Sequence, residues 1–358
     1  MDDTPSRRMF LGQLTGLVLG FPLMASLTCS HKVAGTGSAG PAGEHPSPVP
    51  AEIRKRLVEV RSGKVLSAEN TVNSKVLEQM LTCAMERLTA CHGDAAWQKL
   101  FSPSDMVALK VNCLAGKRLS THRELVNAIV SGLTRAGVQS SRIIIYDRTS
   151  EELRQAGFSL SRSGGAARCF GTDEPGVGYD EEPTISGEVA SRFSTIISRE
   201  CTALINVPVL KDHDLCGLSA ALKNHLGSID NPNKYHPNGG DPYIADINAS
   251  PLLLSKSRLI ICDALEALYD GGPAYNPAGT WSYGGILAGC DPVALDTRAL
   301  SIIEAKRREM KLPTLSDEKR FPHYIARAAD SDHRVGEGDF SKVEHMLIDP
   351  LECEGKGD

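Results

Sequence analysis

From about residue 57 the chain alternates between two kinds of apolar pattern. The first is a short continuous run, seen in Met106-Val107-Ala108-Leu109-Lys110-Val111-Asn112, in Arg142-Ile143-Ile144-Ile145-Tyr146-Asp147, over 202–210 and over 258–263. Runs of this length without polar alternation predict strands buried on both faces. The second pattern places apolar residues three and four apart. Val76, Leu77, Met80, Leu81, Ala84, Met85 and Leu88 predict a helix over 73–91. Thr121-His122-Arg123-Glu124 has the form of a capping box and opens a helix to Ala136, closed by Gly137. Strand, helix, glycine and strand over 106–147 read as one βαβ unit with a parallel pair.

The remainder continues the alternation. Val58-Glu59-Val60 and 286–289 are short strands, and 343–348 is a terminal strand. Helices are expected over 216–226 with Gly227 as the stop, up to 251–255, from the Asp291 cap with Pro292 in first position to Met310, and over 321–330. The fold class is therefore α/β, three layers with a mostly parallel sheet and helices on both faces. No internal repeat is present, and no G-x-G-x-x-G follows a strand, so a dinucleotide fingerprint is missing.

The first 56 residues have a different character. Ser6-Arg7-Arg8-Met9-Phe10-Leu11 precedes an apolar stretch from Leu14 to Leu27 broken by Gly16, Gly20 and Pro22. Paired arginines, a moderately apolar segment and then small residues make residues 1–29 a twin-arginine export signal, too short and interrupted for a spanning helix. The implied route is passage through the twin-arginine translocase to a periplasmic or other extracytoplasmic location. Two exits stay open: cleavage near Ala25, or a lipid anchor on Cys29, which would be the chain's one tie to a membrane. Residues 30–56 are a Gly/Ser/Pro-rich linker, 57–350 a single α/β domain in which two lobes are not excluded, and 351–358 a tail.

Composition narrows the function classes. With 41% hydrophobic and 23% charged residues the chain is globular, and 39 basic against 44 acidic residues give a net charge of -5 with no basic run beyond the N-terminus. A nucleic-acid partner is set aside on that ground. None of the ten cysteines forms a C-x-x-C, which removes a local iron–sulfur or zinc-ribbon motif. Cys113, Cys262 and Cys290 adjoin apolar runs and read as small buried hydrophobes.

The densest chemistry follows the run 204–210. Lys211 and His213 are two apart on an extended stretch and so face one side. Gly217, Ser219, Lys223, Asn224 and His225 come next, with Gly217 read as the close-approach glycine at the start of an anion-favouring helix. Lys110 and Asn112 end the first strong strand and Asp147 ends the second. The catalytic candidates are His213 and Lys223; the ligand-binding candidates are Lys211, Gly217, Ser219, Asn224, Lys110 and Asn112. His225 and His236, with Asp263 and Asp296, are the candidate ligands for a divalent metal. The segment 231–240, rich in Asn, Pro and Gly, is expected to cover the site.

Leu210-Lys211-Asp212-His213, Gly217-Leu218-Ser219 and Leu222-Lys223-Asn224-His225-Leu226-Gly227 resemble the signature of the family called domain of unknown function 362. Cys290-Asp291-Pro292-Val293-Ala294-Leu295-Asp296 and Asp263 with Gly271-Gly272-Pro273 resemble two further segments of that family. The resemblance covers about 105–310. Some relatives append ferredoxin cysteines, which this chain lacks. The spacing of His213, Gly217, Ser219 and Lys223 is also similar to the nickel-pincer lactate racemase family. That likeness implies Lys223 as the attachment point of a metal-nucleotide cofactor and His213 as the acid–base, although Asn224 and His225 depart from its pattern.

Two readings follow. One is an enzyme in which Lys211 and Lys223 hold a small anion or a phosphate-bearing cofactor, His213 moves a proton, and Asp263 and Asp296 orient His213 or bind a cation. The other is an exported, non-catalytic protein that captures a ligand or metal.

Overall fold

The computed structural model describes residues 48–350. The strands, in chain order, are β1 Arg56–Arg61, β2 Val107–Lys110, β3 Ile143–Tyr146, β4 Arg168–Cys169, β5 Thr184–Ser186, β6 Val189–Ser191, β7 Ala203–Asn206, β8 Val209–His213, β9 Gly217–Ser219, β10 Ser257–Leu268, β11 Thr280–Gly289 and β12 Glu344–Ile348. Ten of them form one sheet in the order β12-β1-β11-β10-β7-β2-β3-β4, with β8 on β10 and β9 on β8. β5 and β6 form a separate antiparallel pair. Parallel neighbours dominate the large sheet. β11 runs antiparallel to both β1 and β10, and β9 to β8.

The period-2 geometry of the continuous runs explains the layers. Val107, Leu109, Ile143, Ile145 and Ile205 face one core with the helices Ser74–Thr89 and Arg123–Arg135. Ala108, Ile144, Tyr146 and Leu204 face the other, with Pro292–Glu309 and Tyr243–Asn248. The βαβ unit is present, with Val107 to Lys110 in parallel register with Ile143 to Tyr146. Asn73 caps the first long helix through Val76 N–H, and Asp291 caps Pro292–Glu309 through Val293 and Ala294. Cys113 and Cys262 are buried, and Cys290 is partly so. Val49 and Ile53 are already buried, so the packed chain begins before residue 57. The export segment, Cys29 and the tail 351–358 lie outside the described residues.

Four local expectations are corrected. The run 202–210 is two strands, because Pro208 has no N–H for the ladder. Its carbonyl instead accepts the Asp263 N–H at 2.8 Å, and the chain resumes as β8 against β10. The stretch 216–226 is not one helix. It begins as β9, which returns along β8 with Ser219 opposite Lys211 and Gly217 opposite His213. Helix follows only over Ala221–Asn224, with a 3-10 turn over His225–Ser228. A fully buried apolar run does not reveal its period, which is why the spacing misled. The capping box does not form. The Thr121 hydroxyl donates to Val207 C=O at 2.9 Å and accepts Asn112 N–H at 2.9 Å, leaving His122 as an N-cap without a side-chain capping bond. Finally, β10 and β11 run well beyond the expected 258–263 and 286–289.

Candidate functional site

Three parallel strands end side by side, with Lys110 of β2 in register with Tyr146 of β3 and Asn206 of β7. This is the carboxyl edge of an open α/β sheet, where ligands gather. β8 turns away from β2 after Pro208 and runs beyond that edge. A cleft of about 400 Å³ opens between the ends of β2 and β3 on one side and β8 on the other, roofed by Pro232, Asn233 and His236. Three residues of the segment 231–240 thus line this cleft.

The floor is a fully bonded polar mesh. Buried Lys110 donates through Nζ to Asp147 Oδ1 and to Val111 C=O, both at 2.7 Å. Asp147 also accepts N–H from Cys113 at 2.6 Å and from Arg148 at 2.8 Å. Asn224 ties the walls together. Its Nδ2 donates to Asn206 Oδ1 at 2.7 Å and Lys110 C=O at 3.2 Å, and its Oδ1 accepts from Asn112 Nδ2 at 3.0 Å. Gly227 is required here: a Cβ would lie 2.9 Å from Lys110 Nζ and 3.3 Å from Asp147 Oδ1.

Above the floor the cleft is rich in cationic side chains without counter-ions. Lys211 is completely buried, and its Nζ donates to a neutral acceptor, Asn112 Oδ1, at 2.8 Å. Lys223 Nζ meets the neutral His236 Nε2 at 3.2 Å. Neither lysine forms an ion pair among the described residues, whereas Lys110 has Asp147 and Arg148 has Glu152. Burial, then the charge of Lys223, lowers the Lys211 pKa to about 8. Burial lowers Lys223 as well.

His213 stacks on His236 with ring centroids 5.4 Å apart. Its Nδ1 accepts N–H from Leu215 at 3.2 Å and Cys216 at 3.4 Å, with Asp214 Oδ1 3.0 Å away, and in this N–H pairing the neutral ring carries its proton on Nε2. Burial first, then Lys223, His236 and Lys211, push its pKa down to about 2. The reading of His213 as a proton-moving residue assumed an ordinary histidine; burial first, and then the lysines, favour the neutral ring.

Lys110, Asn112, Lys211, His213, Ser219, Lys223, Asn224 and His236 are brought together at the cleft. Gly217 is not in it. Its φ of +73° serves the β8–β9 hairpin, and a Cβ there would meet Arg320 C=O at 2.0 Å. The helix-start anion site is also overturned: Ala221–Asn224 is a single turn, and Asp296 already accepts the Ala221 and Leu222 N–H groups at 2.7 and 3.0 Å. Asp296 is thus a cap for the turn that carries Lys223. Asp263 does not touch His213. It accepts His122 N–H at 2.7 Å and pairs with His122 Nδ1 at 2.9 Å. Against the cost of burial, that carboxylate raises the His122 pKa to about 9.

His225 faces away from the cleft, where Asn206 Nδ2 donates to its Nε2 at 3.2 Å. The four candidate metal ligands, His225, His236, Asp263 and Asp296, therefore do not converge. Among the described residues no group of three or more His, Cys, Asp or Glu side chains is placed to hold a metal ion. Sequence reading also passed over Arg148 and Glu152, an ion pair on the cleft wall in which Arg148 precedes the Thr149 N-cap and Glu152 lies in the helix Ser150–Gln155.

Fold and site define an α/β protein with a lysine-lined cleft at the carboxyl edge of its parallel strands. The model of the family described as domain of unknown function (DUF362) matches residues 107–301, more than half of the chain, and the chain belongs to that family. No curated protein matches. A crystal structure of a Thermotoga maritima protein, a structural-genomics target, is similar with a TM-score of 0.39 and 11% identity. The likeness covers 67% of this chain and 60% of that one, so this chain spans under two thirds of that protein's length. Among the described residues, no helix is long and apolar enough to cross a membrane.

Proposed function

We propose that the cleft binds a small anionic molecule, as substrate or as the phosphate of a cofactor, and that the protein is an enzyme acting at this site after export. The observation that carries the reading is the pair of buried lysines, Lys211 and Lys223, with neutral hydrogen-bond partners and no ion pair, the carboxylates of Asp147 and Asp214 acting on them only at longer range. An uncompensated buried ammonium is costly, and a bound anion removes that cost by pairing with it. Lys110 belongs to the scaffold, since Asp147 already neutralises it. His213 contributes Nε2–H as a directional donor to an oxygen of the ligand, and Ser219, opposite Lys211, adds a hydroxyl to the same wall.

The lining does not suit a divalent cation held by protein ligands alone, because cationic lysines would repel it. The test is calorimetric titration with inorganic sulfate of the protein and of Lys211→Met. The reading requires binding by the protein and at least a tenfold weaker affinity in the variant. Equal affinities would contradict it. The capture reading gains one specific support, the neutral state of His213, which leaves no imidazolium to donate a proton in the free protein.

A further inference from the structure

The three lysines of the cleft differ in what they face, and the difference assigns them different work. Lys110 is locked in an ion pair and its Nζ is spent on three acceptors. Lys211 has no exposed surface and is anchored to Asn112 Oδ1. Lys223 keeps 8% exposure, lines the cleft, and meets one hydrogen-bonding side chain, the His236 ring at 3.2 Å. Hydrogen bonding by the Pro232 and Asn233 backbone to that ring opposes the fall in its pKa, and Nε2 is the ring nitrogen that faces the lysine. A lysine amine becomes a nucleophile when it is desolvated, has no carboxylate partner and adjoins another cation and a proton acceptor. Lys223 is desolvated, has no ion-pair partner, lies near Lys211 and meets His236, with the Asp214 carboxylate only at longer range.

We propose that Lys223 forms an imine with an anionic carbonyl compound, a 2-oxo acid or a phosphorylated aldehyde or ketone, whose anion lies on Lys211. The proposal rests on the anion-binding reading and names its substrate class. In the step, the Lys223 Nζ lone pair attacks the carbonyl carbon and forms the N–C bond. The carbonyl oxygen, held by His213 Nε2–H, takes up a proton and later leaves as water as the C=N bond forms. Both amine hydrogens end on that water, relayed by His236 Nε2 and the Lys211 ammonium. No oxidant or reductant takes part. Burial lowers the Lys223 pKa and so favours the neutral amine that the attack needs.

The experiment is incubation of the full chain with pyruvate and, separately, glyceraldehyde 3-phosphate, trapping with cyanoborohydride, then intact mass and peptide mapping. Sulfate titration and circular dichroism are run beside it on the protein and on Lys223→Arg, which keeps the charge. The expected result is one adduct with the mass of the carbonyl compound less one oxygen atom, on Lys223, suppressed by excess sulfate and lost in the variant. An adduct on Lys211, or one spread over exposed lysines and indifferent to sulfate, overturns the assignment. Sulfate binding without any adduct overturns the imine and leaves the anion site standing. Absence of both sulfate binding and adduct overturns the imine together with the reading beneath it.

Discussion

Lys211→Met is the perturbation that separates a functional lysine from a structural one. Lys211 is fully buried, and its pKa lies near 8 instead of its ordinary 10.5. That difference corresponds to about 3 kcal/mol by which the folded protein disfavours the charged side chain. The groups that set it are burial and Lys223 and Lys110, against Asp147 and Cys113. Methionine removes the charge at similar length. It also strips Asn112 Oδ1 of its donor, a loss of about 1 kcal/mol that water from the cleft can reduce. The variant should therefore be more stable than the parent at about pH 7, by about 1–2 kcal/mol, or a few degrees in Tm, while binding sulfate poorly.

The pH dependence has a definite sign. The folded value lies below the unfolded one, so between about pH 8 and 10.5 the unfolded chain holds the extra proton and the parent gains stability as pH rises. The advantage of the variant is full below about pH 8 and fades through 10.5. Urea unfolding of both proteins at about pH 7 and about pH 10 measures it, and the parent–variant difference cancels other titrating groups. A variant less stable than the parent at pH 7, or an advantage that ignores pH, would refute the reasoning.

Other positions give independent tests. Asn224→Ala should lower stability by about 2–4 kcal/mol in urea unfolding, because it leaves buried partners such as Asn206 Oδ1 and Lys110 C=O unsatisfied. Asp296→Ala should cost about 1–2 kcal/mol and weaken sulfate binding, since it uncaps the turn that carries Lys223. Hydrogen exchange over 231–240 should slow on adding sulfate, because His236 and Asn233 roof the cleft; fast exchange indifferent to sulfate would remove this segment from the site. Replacing both Arg7 and Arg8 by lysine should leave the protein on the cytoplasmic side in a fractionation assay, while unchanged export would end the twin-arginine reading.

The layer architecture was legible because 107–109, 143–146 and 203–205 are continuous apolar runs, as a doubly covered sheet requires. The membership of the cleft was legible too: Lys211 and His213 share a face by the period of a strand, and Lys110 and Asn112 end a parallel one. The break at Pro208 was printed in the sequence, yet what opens the cleft is that β8 then pairs with β10 and leaves β2. That is a long-range choice. Asp263 and Asp296 looked alike in sequence, as carboxylates near a strand end and inside a helix. Their partners, His122 and the turn at Ala221, are 141 and 75 residues away. The titration of His213 was misread because its burial, the largest cause of the shift, and the approach of Lys223 and His236 are set by the fold, while Lys211 beside it on β8 was already in view.

The most direct test of the central claim is sulfate affinity as a function of pH, because sulfate keeps its charge throughout. If the cleft is an anion site built on Lys211, affinity should be highest near neutrality and fall as pH rises through about 8, where that side chain loses its proton. Affinity that is flat across this range, or that rises with pH, would contradict the account.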